Sequence, residues 1–328
     1  DAGNLVSHTG NVADSLEMDC STVLLDADNG ERVLHFAELD ANPENDTERV
    51  LFIRPMVRLR NGARYIVAIR NLRDKNGGPI APPEGFRRIR DGQTQGDLVL
   101  APLALRYEED VFPILETAGV DRFPLQLAWD FTTETEECVT GDMLTMRADL
   151  ISRMEQSPPA VTITSVTEPV NDRILRQVDG TIRVPLYVDS EGPTSRINRD
   201  AGGNIVAIGE AEVPFTIRFP TSLQGDSANL PARVVQYGHG FFAQRNEVES
   251  GWLDELAQQH RFVLAAVDWW GMSVDDLDDA LASVMSDPSS FLQFTDRLHQ
   301  GMANQIALSY ALSGSLSQLA QVQIYGSS

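Results

Sequence analysis

Two glycine turns hold the residues with the most chemistry in this chain. Tyr237-Gly238-His239-Gly240-Phe241-Phe242 follows the run ARVVQ, and Tyr325-Gly326-Ser327-Ser328 follows QVQI. In an open α/β sheet, functional groups gather at the carboxyl ends of strands, where such turns lie. A serine at the tip of a strained strand-to-helix turn has its hydroxyl exposed above the sheet. Glycines around it remove side chains that would collide with the neighbouring strand and helix. On that pattern Ser328 is the candidate nucleophile, with Gly326 and Ser327 as the first part of its elbow. Acyl transfer passes through a tetrahedral oxyanion that backbone N–H groups stabilise. The Phe241 N–H, just after His239-Gly240, is the candidate donor, and Gly240 would let the backbone come close to a substrate. Asp268-Trp269-Trp270-Gly271 ends a third apolar run. Phe241, Phe242, Trp269 and Trp270 could form an apolar acyl pocket. The same rings are equally good core material, and Asp268 also suits a helix cap.

Strands and helices must position these groups. Residues 20–92 read as short strands separated by turn chemistry: STVLLDADNGERVLHFAEL around Asn29-Gly30, then RVLFIRP, ARYIVAIRNLRD and GFRRIRDG. Asn-Gly suits a tight hairpin. Asp26, Asp28 and Gly30 resemble a fragment of a calcium loop but stop short of its twelve residues and closing Glu, so a plain turn is expected. From Leu98 the spacing predicts helices in LRYEEDVFPILETAGV and ECVTGDMLTMRADLISRM, with a strand in FPLQLAWDFTT and a break at Ser157-Pro158-Pro159. From Ala160, AVTITSV, TIRVPLYV and EVPFTIRFP read as strands. EVESGWLDELAQQH reads as a helix, RFVLAAVDWWG as a buried strand and PSSFLQFTDRLHQGMANQIALSYALSG as a long helix. Alternating strands and helices imply a parallel sheet covered on both faces. The expected organisation is an Ig-like β-sandwich over 1–97, an α+β connecting segment over 98–159, and an α/β domain on a mostly parallel sheet over 160–328.

The totals exclude several classes of function. The 328 residues suit about two domains. Net charge is −22, and Lys75 is the single lysine among 26 basic residues. So acidic a chain repels nucleic-acid backbones and anionic membrane surfaces. No apolar run is long enough to span a bilayer. The opening DAGNLVSHTG has neither part of a signal peptide and suits a mature N-terminus left after processing. Cys20 and Cys138 suit either one disulfide or two thiols. Neither sits in a CxxC, and no histidine cluster calls for a metal.

The first half's RPMVRLRNGARYIVAIRNLRDKNGGPI, with QYGHGFF, AAVDWWGM, FLQFTDRLHQGMANQIAL and the final YGSS, resembles secreted bacterial α/β-hydrolases that carry an N-terminal Ig-like domain. In that family the last motif runs on as Gly-X-Ser-Gln-Gly. The resemblance makes Gly326 the first glycine, Ser327 the X and Ser328 the nucleophile. It implies a secreted, periplasmic or cell-surface serine hydrolase that cleaves small or polymeric carboxylic esters through an acyl-enzyme, without a cofactor. The base and acid of such a triad follow the nucleophile in sequence. His239 is therefore expected to shape its loop, His260 and His299 to pack or face solvent, and the natural protein to continue past Ser328. Two other readings stay open: a non-catalytic binding protein on a degenerate hydrolase body, and a peptidase or thioesterase.

Overall fold

When two apolar runs follow each other without a helix between them, they pair antiparallel, because a parallel return needs a crossover of a dozen residues or more. That rule decides the pairs joined by short connections. The computed structural model describes residues 4–74, 76–225 and 232–317. Gly326, Ser327 and Ser328 lie outside the described residues. The chain forms two compact units, Asp1–Val139 and Thr140–Ser328.

In the first unit, β1 (Thr22–Asp26), β4 (Arg64–Arg70) and β5 (Leu125–Thr132) form an antiparallel sheet in the order β1-β4-β5. A separate antiparallel pair joins β2 (His35–Leu39) to β3 (Leu51–Pro55). Side chains of β4 alternate between two cores, as the period of a strand requires. Ile66 and Ala68 pack with Phe86, Ile89, Phe112 and Leu115, which come from the helices α1 (Glu84–Arg90) and α3 (Phe112–Thr117). A third helix, α2 (Leu100–Arg106), adds Ala104 to that core. Tyr65 and Val67 pack on the other side with Leu24, Ile53 and Phe131.

This is not the Ig-like sandwich expected over 1–97. GFRRIRDG, read as a strand, is α1: Pro83 precedes it, Glu84 opens it, and Phe86 and Ile89 fall three apart on its buried face. Residues read as a connector supply β5 and two of the helices. The Asn29-Gly30 turn forms, with the Gly30 N–H donating to Asp26 O at 2.9 Å. The chain bridges back only at Leu25–Arg32 before β2 leaves to pair with β3. Asp26 and Asp28 both accept from the Arg60 guanidinium, at 2.8 and 2.7 Å, so this turn is tied by an ion pair. No disulfide joins Cys20, which is buried, to Cys138, which is exposed.

The second unit centres on a five-stranded sheet, β6 (Val161–Thr167), β7 (Ile174–Pro185), β8 (Glu210–Pro220), β10 (Phe262–Val267) and β9 (Arg233–Tyr237), in that order. Three of its four pairings are antiparallel and only β9 with β10 is parallel. The mostly parallel sheet expected for 160–328 is therefore corrected to a mixed, mostly antiparallel one. For β6 and β7 the physical reason is connection length. Six residues separate β6 from β7, and no helix lies between β7 and β8. The parallel pair, β9 with β10, has α5 (Gly251–His260) between its strands.

Around β10 the sheet is covered on both faces. Val263, Ala265 and Val267 pack against Ala303, Ala307, Leu308 and Ala311 of α7 (Phe291–Ser313). Leu264 and Ala266 pack against Leu253 and Ala257 of α5. FVLAAV is therefore buried at all six positions. A buried pair docks α5 on the sheet: Arg218 of β8 donates twice to Asp254, at 2.8 and 3.0 Å. Two further helices, α4 (Glu136–Gln156) and α6 (Val274–Ser286), complete the element list. Among the described residues no helix is long and apolar enough to cross a membrane.

Candidate functional site

Parallel neighbours in a sheet end side by side, so the loops after β9 and β10 meet. The Phe242 N–H donates to Met272 O at 2.8 Å, and the Val274 N–H donates to Ala243 O at 3.0 Å. Arg245 donates to Asp268 from its backbone N–H and from Nη1, each at 2.6 Å. His239 is 5% exposed and joins the loops directly. Its Nε2 accepts from the Trp269 N–H at 2.9 Å, and its Nδ1 donates to Gly240 O at 2.7 Å. An amide N–H can only donate and a carbonyl can only accept, so the two bonds together select the Nδ1–H tautomer. Both ring nitrogens are occupied, which suits a loop-shaping histidine and leaves none for a proton shuttle.

Between Gly240 and Ala243 one backbone donor is unclaimed among the described residues. From Gly240 to Ala243, the Gly240 N–H donates to Glu247 Oε2 at 2.8 Å, that of Phe242 to Met272 O, and that of Ala243 to Gly240 O at 3.1 Å. Among the described residues nothing accepts from the Phe241 N–H. Its direction is nonetheless set. The peptide joining Gly240 to Phe241 is planar and trans, so its C=O and N–H point opposite ways. Two donors, His239 Nδ1 and the Ala243 N–H, hold the Gly240 oxygen, and the Phe241 N–H is turned away from them. Phe242 follows with φ +56°, a left-handed conformation that bulky residues seldom adopt. That strain is sustained by its own bond to Met272.

The apolar surface beside this donor differs from the one expected. Phe241 is 65% exposed, and its ring meets Phe242 at 4.4 Å and Phe294 at 5.8 Å between centroids; Phe291 meets Phe294 at 5.5 Å. The first turn of α7, not the tryptophan pair, extends the aromatic strip. Trp270 is 8% exposed, belongs to the main core, and lies under the Arg297 guanidinium at 4.3 Å. Trp269 is half-buried, and its indole N–H is buried without a hydrogen-bond partner among the described residues. His260 stacks on Phe262, and His299 Nδ1 donates to Thr295 O, so both serve local packing.

Residues that the motifs did not signal hold these loops. Asp276, 1% exposed, accepts from the Gly271 N–H at 2.8 Å, the Ser273 N–H at 3.0 Å and Ser273 Oγ at 2.6 Å. Its other oxygen pairs with Arg297 Nε, and Arg297 Nη1 reaches Glu191 O at 2.8 Å. Ser273 and Asp276 together make a capping box for α6. Gly271 (φ +90°) and Gly301 of α7 meet here: a Cβ on Gly301 would sit 2.5 Å from Trp270 O, and one on Gly271 2.6 Å from Leu298 N. Gly301→Ala is therefore expected to destabilise, although alanine is favoured over glycine within a helix by about 1 kcal/mol. Overpacking against fixed backbone should leave a net loss of about 1–3 kcal/mol in chemical denaturation. A stabilised variant would show that the loop gives way.

Among the described residues no cluster of His, Cys, Asp or Glu could hold a metal ion. Comparison with protein-family models, curated proteins and solved structures finds no match for this chain.

Proposed function

We propose that this chain is a serine hydrolase acting on carboxylic esters, with the Phe241 N–H as an oxyanion donor and Ser328 as nucleophile. The observation that carries the reading is the Phe241 N–H, unclaimed among the described residues while the N–H groups of Gly240, Phe242 and Ala243 around it are engaged. A backbone donor held in a fixed direction, with no acceptor among the described residues, suits an oxygen that becomes negative during reaction. The exposed rings of Phe241 and Phe291 beside it suit the acyl part of an ester. In the proposed reaction the serine oxygen attacks the acyl carbonyl and the alcohol leaves with a proton. Water then hydrolyses the acyl-serine to release the acid.

The test is intact and peptide mass after treatment of the full-length protein with a fluorophosphonate, alongside hydrolysis of a p-nitrophenyl ester. One adduct on Ser328 is expected, together with loss of both adduct and hydrolysis in Ser328→Ala at an unchanged melting temperature. A folded protein that takes no adduct would overturn the reading in favour of a binding protein. An adduct on another serine would move the nucleophile.

A further inference from the structure

We infer that Glu247 is a positioning residue for this reaction, holding the Phe241 donor in place through Gly240. The inference rests on the proposed hydrolase reading. Gly240 is exposed and carries no side chain, so on its own it is a free hinge in the loop. Two peptide planes meet at it. The plane toward Phe241 is held at the Gly240 oxygen by His239 and Ala243. Among the described residues, the plane toward His239 is held only at the Gly240 N–H, by Glu247 Oε2 at 2.8 Å. A bond to a carboxylate is about twice as strong as one between neutral groups.

Glu247 is itself anchored. It lies in the short turn Arg245–Glu249, which Arg245 ties to Asp268 at the end of β10. Its backbone oxygen accepts from Ser250 Oγ at 2.7 Å. The same Oε2 accepts from the Tyr237 hydroxyl at 3.2 Å. Desolvation, and next that hydrogen bond to Glu247, push the Tyr237 phenol above its ordinary pKa, so it remains a donor. A carboxylate close to a developing oxyanion is electrostatically unfavourable, so its charge cannot by itself help the reaction. What Glu247 offers is geometry: one oxygen that fixes both the last residue of β9 and the hinge glycine three residues later.

Three variants of the full-length protein test this by p-nitrophenyl butyrate kinetics and amide hydrogen exchange. Glu247→Ala should lower kcat about 10- to 100-fold, the scale of a misplaced reactive group, with KM within about twofold. Glu247→Gln keeps an acceptor and should recover most of kcat, and Tyr237→Phe should lose less than Glu247→Ala. Exchange protection at the Gly240 amide should fall in Glu247→Ala alone. An active wild type with kcat unchanged in Glu247→Ala, or with KM alone altered, overturns the positioning role and leaves the hydrolase reading standing. A kcat that rises in Glu247→Gln also overturns it, by showing that the charge opposes the reaction more than the bond helps. A wild type with neither hydrolysis nor labelling overturns the hydrolase reading, and the inference with it.

Discussion

Arg297→Met will lower the stability of the second unit by about 3–5 kcal/mol, the loss expected when one partner of a buried ion pair is removed. Asp276 is 1% exposed and Arg297 5%. Methionine matches the length of the arginine stem but strands the Asp276 carboxylate away from water. Three donors from Gly271 and Ser273 remain on one of its oxygens, and the other loses its partner. The guanidinium also lies over Trp270 and donates to Glu191 O, so the change frees a tryptophan face and a carbonyl. Asp276→Asn should be milder, because the amide oxygen can still accept from the Ser273 cap while the charge disappears. Urea denaturation followed by tryptophan fluorescence measures both. A loss under about 1 kcal/mol for Arg297→Met would mean that water or a rearranged side chain satisfies the carboxylate, and that the pair does not hold the 268–276 loop on α7.

Period and breakers exposed the elements of this protein better than its topology. FVLAAV, the amphipathic α5 and the long α7 follow from apolar spacing alone, because each buries a face that local sequence already carries. Strand direction depends instead on what lies between two strands. Treating 160–220 as part of an alternating series hid that its three strands have no helix among them, and they pair antiparallel. GFRRIRDG failed for a different reason: the helix it belongs to, α1, is only seven residues long, and two apolar positions are too few for a period to show.

The site divides in the same way. The glycine turn after β9 was legible because strand-end glycines mark where a backbone comes close to something, whereas the turn at Gly326 lies outside the described residues. The supports of the loops after β9 and β10 were not. Glu247, Asp276 and Arg297 look like surface charges in a chain of net charge −22, and Asp268, read as a helix cap, instead pairs with Arg245. Each becomes structural only when two loops or a loop and a helix close on it. Phe291 and Phe294 lie three apart on a helix, ordinary for a packed face, and became part of the aromatic strip only because the β9 loop reaches them.

His239→Ala is expected to lower kcat by about 100-fold or more, approaching the effect of deleting one oxyanion donor. The histidine acts at two places, and two isosteric substitutions separate them. Asparagine places an amide nitrogen near the position of Nδ1, so His239→Asn can still donate to Gly240 O while losing the Trp269 N–H. Glutamine places an amide oxygen near the position of Nε2, so His239→Gln can still accept from Trp269 while releasing Gly240. If the orientation of the Gly240–Phe241 peptide is what matters, kcat should fall in the order wild type, Asn, Gln, Ala. Both Asn and Ala should also lose about 1–3 kcal/mol of stability, because each leaves a half-buried backbone N–H without its acceptor. Were the imidazole instead the proton shuttle, neither amide could replace it, and Asn, Gln and Ala would be equally inactive. Glutamine outperforming asparagine in kcat would place the decisive contact at Trp269 and remove Gly240 from the argument.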